Sequence, residues 1–167
     1  LRMVVQHVTR PDQDFRGYAG TINSGILKKA QNVKILPSGY STEVDKIFDI
    51  KNELKEAYTN QAITLTLKDN LDVSRGDFIV DAKNPPEMAD QFRIDLIWMD
   101  NKQFISGKSY IIKVQGKMLN ARILIKHKYD INNFSKIKAT SLYINEIGAC
   151  DIFFAKSIVF EKFEENR

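Results

Sequence analysis

Cysteine occurs once in this sequence, at Cys150, and histidine twice, at His7 and His127. One thiol cannot close an internal disulfide, which excludes a disulfide-stapled secreted scaffold and leaves a cytoplasmic location as the expectation. The histidines stand far apart and Cys150 has no partner in sequence, so neither zinc-ligand spacing nor a cysteine–histidine nucleophile signature is present. Gly-x-x-x-x-Gly-Lys-Ser/Thr does not occur, so no backbone nest for nucleotide phosphates is expected. Gly107-Lys108-Ser109 and Gly116-Lys117 look like the end of such a loop, but each lacks the earlier glycine and a helical stretch after it. No run approaches the roughly 18 apolar residues of a membrane-crossing helix, and no charged-then-apolar leader opens the chain.

Hydrophobic residues make up 43% of the 167, enough to bury a core in one ordinary domain or two small ones. Twenty-five basic and 21 acidic residues are interleaved along the chain and leave a formal charge of +4. That describes a mildly basic surface without a concentrated stripe. The densest basic cluster is Arg122, Lys126, His127 and Lys128, followed by Lys136 and Lys138 and diluted by Asp130, Glu146 and Asp151. It reads as a solvated strand face or as a contact for an anionic partner. Asp12 and Asp14 flank Gln13 without the glycine and terminal glutamate of a calcium loop, so solvated loop carboxylates are expected there. Cys150 sits in the apolar stretch Ile147 to Phe154, where a small, buried, inert thiol is expected.

Short alternating runs rich in Val, Ile, Leu, Tyr and Phe, separated by turn residues, predict an all-β protein. In the first half the strand-like runs are Met3 to Val8, Gly17 to Asn23, Gly25 to Ala30, Asn32 to Leu36, Thr42 to Ile50, Ala62 to Leu67 and Asp77 to Asp81. Ser24-Gly25 and Pro37-Ser38-Gly39 supply tight turns. Lys51 to Thr59 holds good helix formers but is too short for an isolated helix, and is read as a loop followed by a strand entry. Asn84-Pro85-Pro86 cannot run through a sheet interior, and Glu87, Asp90 and Gln91 after it are polar. The expected organisation is therefore a barrel over residues 1–84, a linker over 85–91 and a second barrel over 92–167. In the second half Phe92 to Trp98, Ser109 to Val114, Lys117 to His127 and Ile152 to Phe160 alternate again, and Asp130-Ile131-Asn132-Asn133 reads as a side-chain turn.

Phe15-Arg16-Gly17-Tyr18-Ala19-Gly20-Thr21-Ile22-Asn23-Ser24-Gly25 resembles the glycine-spaced hairpin in the second domain of translation GTPases such as elongation factor Tu. Glycine suits such a sharply bent hairpin because it accepts positive φ and lets two backbones approach closely. Arg10-Pro11 ahead of this hairpin, Val33 to Gly39, Ala62-Ile63-Thr64-Leu65 and Ser74-Arg75-Gly76-Asp77 resemble, in order and spacing, the large subunit of bacterial sulfate adenylyltransferase. In the second half Asp95 to Met99, Gly107-Lys108-Ser109-Tyr110, Tyr129 to Asn133 and Leu142 to Gly148 are similar to that subunit's third domain. Ala30 departs from the pattern, standing where the family's hairpin carries glycine; either the turn avoids positive φ or it is strained.

The resemblance implies an all-β pair of six- to seven-stranded antiparallel barrels like domains II and III of elongation factor Tu, the second ending before its last strand. With Leu1 at its start, the chain is read as a piece that follows a GTP-binding domain. The implied complex joins ATP and sulfate into adenosine 5'-phosphosulfate and pyrophosphate, driven by GTP hydrolysis. GTP and magnesium would belong to the preceding domain and ATP to a catalytic small subunit; the barrels themselves are expected to hold no catalytic residue, cofactor or metal. Their expected partners are that GTP-binding domain and that small subunit, with no membrane. The candidate contact residues are Arg10, Asp14, Phe15, Arg16 and Tyr18, because aromatic and arginine side chains anchor interfaces; the alternative is that Phe15 and Tyr18 plug the barrel end. A rival expectation from the high pI of 9.1 is an RNA-binding barrel of a translation GTPase, whose binding would be steeply salt-sensitive.

Overall fold

The computed structural model describes residues 1–11, 15–114 and 116–161. Among these no helix forms, and the chain runs as strands and turns. It divides into two compact units, the first made of Leu1–Met88 with Gln115–Lys117 and Val159–Arg167, the second of Ala89–Val114 with Met118–Ile158.

The first unit holds β1 (Arg2–Thr9), β2 (Gly17–Ser24), β3 (Ile26–Lys28), β4 (Asn32–Leu36), β5 (Ser41–Phe48), β6 (Glu53–Leu54), β7 (Glu56–Tyr58), β8 (Ala62–Leu67) and β9 (Phe78–Asp81). The order β4-β9-β1-β2-β8-β5 closes on itself because β5 also pairs with β4, giving a six-stranded barrel with β6 added on β5 and a separate β3–β7 ribbon. Closure removes the exposed sheet edges, and it needs strong local twist. Register shifts at Arg2/Met3 and Val5/His7 in β1 and at Val44/Lys46 in β5 supply it.

Period-two alternation points Met3 and Val5, Val33 and Ile35, and Ile63 and Leu65 inward, where they join Tyr18, Ile22, Ile47 and Ile79 in the core. Gly20 lies opposite Val5. A Cβ there would stand 2.4 Å from the Val4 carbonyl oxygen, so the close approach of β1 and β2 depends on glycine. Gly25 turns the chain from β2 into β3, which pairs with β7, with φ of 81°. Ala30 has φ of 64°, which settles the open alternative: the turn keeps the left-handed conformation and alanine bears the strain. At the next turn the Leu36–Pro37 peptide is cis and Gly39 has φ of 82°.

The second unit is built from β10 (Glu87–Ile97), β11 (Phe104–Ile105), β12 (Ser109–Val114), β13 (Lys117–Tyr129), β14 (Lys136–Ile137), β15 (Ser141–Leu142) and β16 (Ile147–Phe160). Its main sheet runs β10-β16-β13-β12 with β14 on β13, beside a β11–β15 ribbon. Ala121 to Tyr129 pair antiparallel with Phe154 to Ile147, with an irregularity between Ile125 and His127. Phe104, Ile123, Leu142, Cys150 and Ile152 form its core. Phe104 stacks on Tyr110 at 4.5 Å between centroids, with Trp98 tilted against it at 5.1 Å.

Two sequence expectations are corrected. The linker over 85–91 is shorter than its polar composition suggests, since Glu87 to Gln91 belong to β10. Pro85 and Pro86 lack the N–H a ladder needs, but Glu87, Asp90 and Gln91 sit at exposed positions of the strand, where polarity is no obstacle. The units also do not follow the 1–84 and 92–167 division, because Gln115–Lys117 and Val159–Arg167 group with the first. Lys51 to Thr59 contains two short strands, β6 on β5 and β7 on β3.

Candidate functional site

The connection from β1 to β2 carries the candidate contact residues to one end of the first unit's barrel. Tyr18 is 1% exposed and its hydroxyl donates to the Leu71 carbonyl at 3.1 Å. Burial pushes its phenol above the ordinary value, while the charges of Arg16 and Arg10 pull the other way. Tyr18 is therefore a core residue that plugs the barrel end. Phe15 is half-buried, its ring centroid 6.2 Å from that of Phe48 at a tilt of 55°. A Cβ at Gly17 would stand 2.8 Å from Phe15 Cε1, so the ring folds back over glycine. Asp14 lies outside the described residues, as does Asp12.

Arg16 is the best-anchored cation of the group. Its Nη1 donates to Asn70 Oδ1 at 3.0 Å and its Nη2 to Asp72 Oδ1 at 3.5 Å, and its guanidinium carbon lies 5.7 Å from the Tyr18 ring centroid. Its Nε is buried without a hydrogen-bond partner. Arg10 is exposed. The structure thus brings Arg10, Phe15, Arg16 and Tyr18 to one pocketed end of the barrel, with Asn70, Asp72 and Phe48 joining them from distant sequence.

Elsewhere the sequence motifs resolve into structural roles. Gly107 and Gly116 have φ of 87° and 78°, and each Gly-Lys pair leads into a strand, β12 or β13. The basic cluster is matched by acids: Lys126 lies 3.3 Å from Asp151, and Lys128 pairs with Glu146. His127 packs edge-on against Tyr129 at 4.9 Å. Asn132 N donates to Asp130 Oδ1 at 2.8 Å and Ser135 N to Asn133 Oδ1 at 2.9 Å, the side-chain turn that these residue types favour. Cys150 is fully buried, its thiol directed at the Gly148 carbonyl at 3.5 Å. Burial, with Asp151 and Asp95 nearby, pushes that thiol up to about 11. A thiol this far above neutral pH is a poor nucleophile. Among the described residues no three His, Cys, Asp or Glu side chains are placed to hold a metal ion, and no helix is long and apolar enough to cross a membrane.

Residues 91–167 match the family described as GTP-eEF1A C-terminal domain-like. The Citrobacter koseri protein named sulfate adenylyltransferase subunit 1 is 41% identical over 167 residues, covering 99% of this chain and 35% of that protein. Its namesake in Buchnera aphidicola is 39% identical over 170 residues, covering 100% of this chain and 36% of that one. The chain belongs to the sulfate adenylyltransferase subunit 1 family. It spans about a third of the length of these subunit 1 relatives. Among solved structures, Sup35 complexed with GDP matches with a TM-score of 0.83 at 18% identity over 99% of this chain and 42% of that one. The translation elongation factor SelB from Methanococcus maripaludis, in its apo form, matches at 0.73 with 18% identity, over 96% of this chain and 36% of that one. These two establish the fold of this chain as that of the translation factors, as expected for domains II and III of elongation factor Tu, with a closed six-stranded barrel in the first unit.

Proposed function

We infer that these barrels are the coupling and docking part of the GTPase subunit of a sulfate adenylyltransferase. The complex makes adenosine 5'-phosphosulfate and pyrophosphate from ATP and sulfate, and GTP hydrolysis in the domain ahead of the barrels drives the reaction. The observation that carries this reading is the 41% identity to subunit 1 across 99% of the chain. In such an arrangement the barrels transmit the nucleotide state to the catalytic subunit by contact, as rotation of domains about an interface does in other switching proteins. Arg10, Phe15 and Arg16 are the contact residues, since they sit at a pocketed barrel end and two of them are only half-buried. Tyr18 supports them from the core.

The test is to place Phe15→Ala and Arg16→Ala in the full-length subunit and measure GTP-stimulated sulfate activation with the small subunit. Lost stimulation with GTP binding retained supports the reading, and unchanged stimulation removes it. The translation-factor fold keeps the RNA-binding alternative in view; steeply salt-dependent binding of an oligoribonucleotide would favour that reading.

A further inference from the structure

The loop from β13 to β14 holds apolar side chains out to solvent. Residues 131–138 are all exposed; Ile131 and Phe134 are 64% and 73% exposed, and Ile137 follows them on β14. The loop is not slack. Phe134 N donates to the Asp130 carbonyl at 2.7 Å and Asp130 N to the Ser135 carbonyl at 2.9 Å, besides the side-chain turns on Asp130 and Asn133. Phe134 itself has φ of 55°, a conformation that disfavours a bulky aromatic residue. Strain of this kind persists only where the surrounding structure enforces it, and it gathers at functional sites. A ring held outward on a fixed loop has little freedom left to lose on binding.

A second exposed apolar pair lies at the same end of β13. Glu146 accepts from Lys128 Nζ with one carboxylate oxygen and from Tyr143 N with the other. That ties the turn holding Tyr143 and Ile144, both exposed, to Lys128, whose partner in β14 is Ile137. Scattered single apolar residues are normal on a surface, whereas a group of them marks a site of contact. The charge beside this group is one-sided: residues 131–138 include Lys136 and Lys138 and no acid. Among the described residues neither lysine has an acidic partner, although Lys126 and Lys128 each do. The flanking carboxylates, Asp130 and Glu146, are engaged as acceptors within their own turns.

We propose that this end of the second unit docks the catalytic small subunit, with Phe134 entering an apolar pocket whose rim carries carboxylates opposite Lys136 and Lys138. The proposal rests on the docking role inferred above and divides it: the second unit supplies affinity, and the end of the first unit that holds Arg10 and Arg16 supplies coupling. A separate chain suits the patch better than the tethered GTP-binding domain. Unpaired rim charges steer the encounter of free molecules, and a domain on the same chain needs no such steering. A nucleic-acid strand fits less well, because Ile131, Ile137 and Ile144 offer no flat ring on which bases stack.

The experiment measures association and dissociation of the full-length subunit and the small subunit, at low and moderate salt. Phe134→Gly is expected to weaken binding about tenfold or more, as loss of an aromatic anchor does, and Phe134→Leu to weaken it less. Phe134→Gly should melt no lower than the unaltered chain, since glycine accepts the positive φ. Lys136→Glu together with Lys138→Glu is expected to slow association about tenfold and flatten its salt dependence, while Lys126→Ala changes neither. Unchanged affinity in Phe134→Gly, an unchanged association rate in the lysine variant, or affinity lost only in step with melting temperature overturns the proposal. So does an altered GTP affinity of Phe134→Gly without the small subunit, which assigns the patch to the GTP-binding domain. Binding of a ten-nucleotide oligouridylate or of phosphatidylserine vesicles that Phe134→Gly abolishes, with small-subunit affinity untouched, overturns it in favour of nucleic acid or membrane. The failures are distinguishable. If Arg16→Ala abolishes GTP stimulation while Phe134→Gly leaves affinity intact, the coupling reading stands and this dock does not. If Phe134→Gly weakens binding while Arg16→Ala leaves stimulation intact, the reverse holds.

Discussion

The two units share strand chemistry but differ in how they use it. In the first, six strands close and, among the described residues, fourteen buried ones form its main core. In the second, six buried residues among those described form the core and half-buried ones such as Phe92, Ile94, Leu96 and Trp98 complete it. At the end of β10 the alternation leaves Ile97 58% exposed, and Met99 just beyond it is 75% exposed. Closure is what converts an alternating pattern into full burial, because every inward side chain then meets others from all sides. The first unit should accordingly lose more than the second when comparable side chains are cut.

Leu65, fully buried, and Leu96, half-buried, allow that comparison directly. Leu65→Ala is expected to cost about 3 kcal/mol and Leu96→Ala about 1 kcal/mol, read from urea unfolding. Equal costs would break the comparison. Gly20→Ala is the next largest: the new methyl meets the Val4 carbonyl at 2.4 Å, and forcing β1 and β2 apart should cost about 2 kcal/mol. A neutral result would mean that the closed barrel yields more easily than its core suggests.

Smaller effects sharpen the picture. Ala30→Gly relieves a φ of 64°, a strain of about 1 to 2 kcal/mol, against an unfolded-chain entropy loss of about 0.4 to 1 kcal/mol. A net gain of about 0.5 kcal/mol in thermal unfolding is expected. Cys150 reports on the core of the second unit, where it is fully buried. Its thiol pKa is raised from 9.0 to about 11 in the folded chain, so the folded state holds its proton longer than the unfolded one. The associated stability is fully present below about 9 and is lost as pH rises toward 11. Native protein should resist iodoacetamide at pH 8 until unfolded, and Cys150→Ala should flatten the alkaline decline. Rapid native labelling would show that the second core is open.

Much of this fold was legible in the sequence because alternation and turns are local. β4, β8 and β12 have the boundaries that alternation predicts. Glycine spacing marked Gly20 and Gly25, where a close approach and a positive φ are found, although the turn at Gly25 leads into β3, which pairs with β7 and not with β2. What escaped was long-range. β16 starts at Ile147 and not Ile152 because Gly148, Ala149 and Cys150 are small and all buried, giving no alternation to read. The grouping of Val159–Arg167 with the first unit has no local signal. At the candidate site, the sequence marked Phe15, Arg16 and Tyr18 but could not tell plug from contact. That distinction comes from partners 53 to 56 residues away, Asn70, Leu71 and Asp72.

The proposed coupling role has the barrel end that holds Arg10 and Arg16 carry the nucleotide state outward. The most direct test is the ratio of GTP-stimulated to unstimulated adenosine 5'-phosphosulfate formation by the full-length subunit with its small partner, comparing Arg16→Ala with the unaltered chain. A fall of about tenfold, equivalent to about 1.4 kcal/mol of coupling, with GTP binding intact, is the predicted result. An unchanged ratio would contradict it.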